Sequence, residues 1–167
     1  MPYRNKTYIA FDGDNDMWAY SYMKGWKQND NIDFNFYDAH DLNNARDTST
    51  EDTIKRKLRE RMNNAKLFIL LVGEHTKNLY KFVRWEIETA IAMDLPIIVV
   101  NLNGKKEYDK EYCPAIARDT LAIHIPYKKD AIVYTMDNWP EYHKKYKKEG
   151  KIDSYSWKDS IYNMLGI

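Results

Sequence analysis

The chain has 167 residues, 44% hydrophobic and 31% charged, the make-up of a soluble globular protein long enough for one domain with a sizeable core. Lys and Arg number 26 against 25 Asp and Glu, so nothing in the overall charge points to a nucleic acid or an anionic membrane. The single cysteine, Cys113, excludes an internal disulfide and fits a reducing cytosol, and no apolar run approaches the ~20 residues of a membrane span. Residues Met1 to Thr7 lack the apolar stretch of a signal peptide, so the expected location is cytoplasmic.

In chain order, Thr7-Tyr-Ile-Ala-Phe11 is a short apolar run closed by Asp12-Gly-Asp-Asn-Asp16, which predicts a strand and a tight loop. Met17 to Trp26 predicts a helix, with Trp18, Tyr22 and Trp26 at i+4 spacing. Ile32 to Tyr37 alternates apolar and polar residues, as a half-buried strand at or near a sheet edge does. Asp38 to Thr50 is a polar loop. Asp38, His40, Asp41 and Arg46 on it either line a pocket mouth or stand in solvent.

Thr50 offers an N-cap to a helix running to about Asn64, with Glu51 and Asp52 in its first turn and Ile54, Leu58, Arg61 and Met62 on its inner stripe. Lys66 to Val72 and Pro96 to Val100 are almost continuously apolar, as central strands covered on both faces are. Leu79 to Met93 predicts one amphipathic helix between them. Leu121 to Ile125 predicts a last strand. Beyond Pro126 the chain is aromatic and basic, and it predicts helices near 131–136, 141–148 and 154–165. The basic run His143-Lys-Lys-Tyr-Lys-Lys reads as a solvated helix face. Strands alternating with helices imply a three-layer α/β domain with a largely parallel sheet, whose ligands bind at the carboxyl ends of the strands.

The residue that stands out is Glu86. At helical spacing it has Phe82 and Val83 on one side and Ala90 and Met93 on the other, so a carboxylate sits beside an apolar face. Such a group is paired, hydrogen-bonded or open to a cleft, and the last option makes it a catalytic candidate. Glu88 points the opposite way and pairs with Arg84 at i,i+4. The chain has no phosphate-binding Gly-x-x-x-x-Gly-Lys loop and no Gly-x-Gly-x-x-Gly turn. Asp12 to Asp16 lacks the spacing of a calcium loop, the four histidines show no metal-ligand spacing, and Cys113 has no evident base partner.

Phe82-Val-Arg-Trp-Glu-Ile-Glu-Thr-Ala90 followed by Pro96-Ile-Ile-Val-Val100 resembles the third helix and fourth strand of TIR domains, written Trp-Val-x-x-Glu-Ile-x-x-Ala before an apolar strand. Tyr8-Ile-Ala-Phe-Asp12 resembles the first strand of that family, and Lys66 to Val72 its third. Together these runs resemble the bacterial TIR-like group that includes the ThsB proteins of Thoeris anti-phage defence. The resemblance covers roughly residues 6 to 126 of a single domain, 1–167, leaving about 127–167 as a helical extension.

The resemblance implies a flavodoxin-like fold with about five strands and an enzyme that cleaves NAD+ at the nicotinamide–ribose bond. It further implies cyclisation of the ADP-ribose into a signal that activates a partner effector, and self-association on activation. NAD+ is then substrate, with no resident cofactor or metal. On that pattern Glu86 is the catalytic glutamate. The family's tryptophan falls on Phe82, and Thr76 is the nearest counterpart of a serine or cysteine that some members carry before the motif. Phe11 and Trp18 are candidate aromatic walls, and Asp12, Asp14, Asp38 and Arg46 complete the candidate substrate-binding set. Two other readings remain: a non-catalytic TIR-like adaptor, and an enzyme like the nucleoside 2-deoxyribosyltransferases.

Overall fold

The computed structural model describes residues 6–29, 36–37, 50–79 and 81–167. Its strands are β1 (Thr7–Ala10), β2 (Phe36–Tyr37), β3 (Leu67–Val72), β4 (Ile97–Asn101), β5 (Ala122–Pro126) and β6 (Ser154–Tyr155). Its helices are α1 (Met17–Asn29), α2 (Glu51–Asn63), α3 (Val83–Ala92), α4 (Ala115–Arg118), α5 (Lys129–Lys148) and α6 (Asp159–Leu165). The strands form one sheet in the order β2-β1-β3-β4-β5-β6, and every described pairing is parallel. The chain leaves β1 for β2 on one side and returns to β3 on the other. That reversal is the switch point at which α/β sheets open a crevice.

Parallel strands buried on both faces need apolar residues at every position. β3 supplies six, Leu-Phe-Ile-Leu-Leu-Val, all buried. Successive side chains go to opposite layers. Tyr8, Phe68, Leu70 and Val99 meet Ile54, Leu58 and Met62 of α2 and Val83, Ile87 and Ala90 of α3. Ile9, Ile69, Leu71 and Val100 meet Ala19, Tyr20 and Met23 of α1 and Ile132, Met136 and Trp139 of α5. Thr50 caps α2 by accepting from the Thr53 amide at 3.2 Å.

Three expectations need correction. The helix predicted from Leu79 starts at Val83, because residues 76–78 form a 3-10 turn and Leu79 takes a non-helical backbone of φ −93° and ψ 74°. Glu86 therefore lies in the first turn of α3 rather than about two turns in. Beside the five strands expected, the sheet carries a two-residue sixth, β6, at its edge. Ser154 and Tyr155, predicted as the start of a helix, pair with Ala122 and Ile123 of β5. They are held by Ser154 Oγ donating to the Arg118 carbonyl at 2.6 Å and by the Tyr155 ring stacked 4.8 Å from Tyr146.

Finally, the separate helices predicted near 131–136 and 141–148 are one 20-residue helix that runs through Pro140. An interior proline costs a helix ~3 kcal/mol. Burial of Ile132, Met136, Trp139 and His143 along the same stripe offsets that cost. The extension thus supplies α5, which shares the second helical layer with α1, and an edge strand of the sheet.

Candidate functional site

Glu86 is 3% exposed. It enters α3 one turn after Phe82, whose carbonyl accepts from the Glu86 amide at 2.8 Å. Its carboxylate reaches the sheet, where the Tyr8 hydroxyl donates to Oε2. Tyr8 is itself fully buried, with its ring stacked 5.7 Å from that of Phe68. A carboxylate in the first turn of a helix is favoured by the helix dipole, and the hydroxyl offsets part of its desolvation. Glu88, on the outer face, pairs with Arg84 at 3.1 Å.

The loop after β1 is built around Asp12. Its Oδ1 accepts from the amides of Asp14 at 3.0 Å and Asn15 at 3.3 Å, and its Oδ2 accepts from Asn15 Nδ2 at 2.7 Å. These bonds commit the Asp12 carboxylate to shaping the turn. Asp14 is exposed. Phe11 stacks on Tyr20 at 5.0 Å in the layer opposite to Glu86. Trp18 is 46% exposed and edges onto Tyr127 at 5.6 Å. Phe82 is half-buried against the Glu86 layer, with Lys81 Nζ 5.8 Å from its ring. Thr76 is buried and accepts from the Gly73 amide at 2.9 Å. The structure therefore brings Phe82 and Glu86 together, sets Asp12, Asp14 and Trp18 on and beside one loop, and turns the Phe11 ring into the other layer. Asp38, His40, Asp41 and Arg46 lie outside the described residues.

Two clefts flank the β3–α3 connection. One, of about 420 Å³, lies over the carboxyl ends of β1, β3 and β4 and is lined by Asp16, Trp18, Gly73, His75, Asn103 and Tyr112 among others. The larger, of about 770 Å³, lies between α3 and α4 and carries Lys77, Arg84, Lys110 and Arg118. Glu86 lines neither.

Asp16 is the residue that sequence reasoning missed. It is 7% exposed, and among the described residues its Oδ2 has no hydrogen-bond partner. Burial raises its pKa from 3.8 to about 6, the Asp12 and Glu74 carboxylates push the same way, and His75 opposes them. Asp16 directly precedes α1, where an aspartate ordinarily caps the helix, and that ordinary explanation hides it in the sequence.

Cys113 is buried and its thiol is pushed up to about 12 by burial, which leaves it protonated and unreactive. Burial lowers the pKa of His124 to about 4, and its Nε2 lies 3.2 Å from Ser154 Oγ, a contact that ties β6 to β5. Among the described residues no group of three or more His, Cys, Asp or Glu is arranged to hold a metal ion. No described helix is long and apolar enough to cross a membrane.

Residues 8–107 match the family described as Thoeris protein ThsB, TIR-like domain. The matched span, well over half of the chain, runs from β1 past β4 and contains both Tyr8 and Glu86. A parallel sheet in the order β2-β1-β3-β4-β5, with Glu86 in the helix between β3 and β4, is consistent with the flavodoxin-like fold of such a domain. The chain belongs to the family of ThsB TIR-like domains.

Proposed function

We propose that the protein consumes NAD+, cleaving the nicotinamide–ribose bond and cyclising the ADP-ribose into a signal for anti-phage defence, with Glu86 as the essential carboxylate. The observation that carries this reading is the place of Glu86 at the motif position, in the first turn of α3 and inside the span matched to the family. Nicotinamide leaves with the bonding electron pair, which neutralises its ring, so departure needs no strong acid. The ribose carbon left behind has oxocarbenium character, and an anionic carboxylate stabilises it or orients the ribose hydroxyls. Tyr8, hydrogen-bonded to Oε2, fixes the direction of that carboxylate. A hydroxyl of the same ADP-ribose, losing its proton to solvent as the bond forms, or an adenine ring nitrogen, after which the exocyclic amine loses one, then attacks this carbon and closes the ring. That outcome requires water to be kept out while the attack occurs. The product would activate an effector protein, and the enzyme would act in the cytoplasm and self-associate when triggered.

The test is incubation with NAD+, alone and in lysate from phage-infected cells, followed by mass spectrometry of nicotinamide and ADP-ribose products. Wild type should yield products that Glu86→Gln does not, and a cyclic product would make the protein a signal synthase. The burial of Glu86 and its bond to Tyr8 also suit a second reading, a non-catalytic adaptor. No turnover under any trigger, from wild type that is folded and self-associates, would favour the adaptor.

A further inference from the structure

The groove between α3 and α4 has no part in the chemistry above, and Glu86 does not line it. At about 770 Å³ it falls within the ~300–1,000 Å³ range of small-molecule sites. Four cations stand on it, Lys77, Arg84, Lys110 and Arg118, against one carboxylate, Asp119. The cleft over the strand ends has the opposite character, with Asp16 and Glu74 in its lining and neither lysine nor arginine. An anion is therefore favoured between α3 and α4 and disfavoured over the strand ends.

The four cations come from separate segments: the 3-10 turn, the start of α3, the loop after β4 and the end of α4. Only the folded chain gathers them, and their mutual repulsion opposes that gathering unless negative charge answers it. The answer within the chain is incomplete. Arg84 pairs with Glu88 at 3.1 Å and Arg118 with Asp119 at 2.8 Å, but each arginine is more than half exposed. Exposed pairs of this kind are weak, and a guanidinium has donors left for a phosphate. Lys77 donates to the Glu111 carbonyl, which brings no counter-charge. Lys110 has no ion pair among the described residues. The lining also includes Leu79, Ile91, Tyr108 and Ile116, half-buried side chains packed against the core. The cations are exposed and these four are not, so the groove has an apolar floor and a basic rim.

We propose that this groove is a second ligand site, for an organic phosphate of nucleotide size. Its phosphates lie on the basic rim and its ring-bearing body on the apolar floor. A diphosphate answers the excess of cations better than a single phosphate does. Binding here needs no turnover of NAD+.

The probe is ADP, titrated into the full chain by isothermal calorimetry at about 50 mM salt, where exposed charges are little screened. ADP should bind to wild type and to Glu86→Gln alike. Lys110→Glu and Arg118→Glu should each weaken that binding at least ~tenfold, with folding checked by circular dichroism. Lys144→Glu, a charge reversal of the same size on an exposed lysine of α5, should leave it unchanged. Adenosine, which lacks the phosphates, and inorganic pyrophosphate, which lacks the body, should each bind at least ~tenfold more weakly than ADP. No binding of ADP to wild type, or binding unchanged by both reversals in the groove, would overturn the site whether or not NAD+ is consumed. Equal binding of adenosine would overturn the role of the rim, and equal binding of pyrophosphate that of the floor. A hexaglutamate peptide that binds more tightly than ADP and displaces it would overturn the small-molecule assignment in favour of an acidic polypeptide partner.

Discussion

Replacing Asp16 with Asn should stabilise the protein at pH 8 and leave its stability almost unchanged at pH 4. The carboxyl titrates near 6 in the folded chain against 3.8 as its ordinary value, because burial and the Asp12 and Glu74 charges disfavour the anion. A folded pKa above the unfolded one means that the folded state holds the proton more tightly. Stability from this group is therefore complete below the unfolded value, falls as the pH rises from 3.8 to about 6, and stays lowered above that. The interval corresponds to roughly 3 kcal/mol, an upper bound because the new amide must find partners in the same space. A gain of about 1–2 kcal/mol at pH 8 is the working figure. Urea unfolding of both proteins at several pH values between 4 and 8 measures it, with groups common to both cancelling in the difference. A difference that does not change with pH, or a variant less stable at pH 8 than at pH 4 relative to wild type, would refute the reasoning.

Tyr8→Phe removes the hydroxyl donated to Glu86 and keeps the ring on Phe68, so it should cost about 1–3 kcal/mol in urea unfolding at pH 7. A smaller cost would mean that Glu86 is satisfied without Tyr8. Cys113, 4% exposed with its thiol pushed up to about 12, should react with iodoacetamide at pH 8 at least ~100-fold more slowly in the native protein than in urea. Removing 151–167 strips β6 from β5 and takes Tyr155 and Trp157 from around Trp139, so the shortened chain should lose several kcal/mol, on the order of 3–5, or fail to fold. A thermal melt unchanged by the truncation would make that segment dispensable.

What the sequence disclosed and what it hid follow from the range of the forces involved. β3 and β4 could be read because a strand covered on both faces needs an unbroken apolar run, which is a local signal. The start of α2 could be read because Thr50 and Thr53 lie within one turn. The tail could not. Its β6 exists because Tyr155 meets Tyr146 and Trp157 Nε1 donates to Thr135 at 2.8 Å, contacts between segments whose sequences carry no mark of each other. Pro140 argued locally for a break, and the burial of Trp139 overrode it. Glu86 was conspicuous by its helical neighbours, although the late start of α3 was hidden in the non-helical Leu79. Asp16 was invisible because its distinguishing partner, Gly73, comes from another strand end.

Glu86 and Asp16, two of the buried carboxylates, differ in what surrounds them. Glu86 has a helix N-terminus and a tyrosine hydroxyl, both of which favour an anion. Asp16 has two carboxylates among the groups that act on it and an oxygen with no donor among the described residues, so its charge opposes folding. An amide of the same size would relieve that opposition, and a chain shaped by stability alone would gain from it.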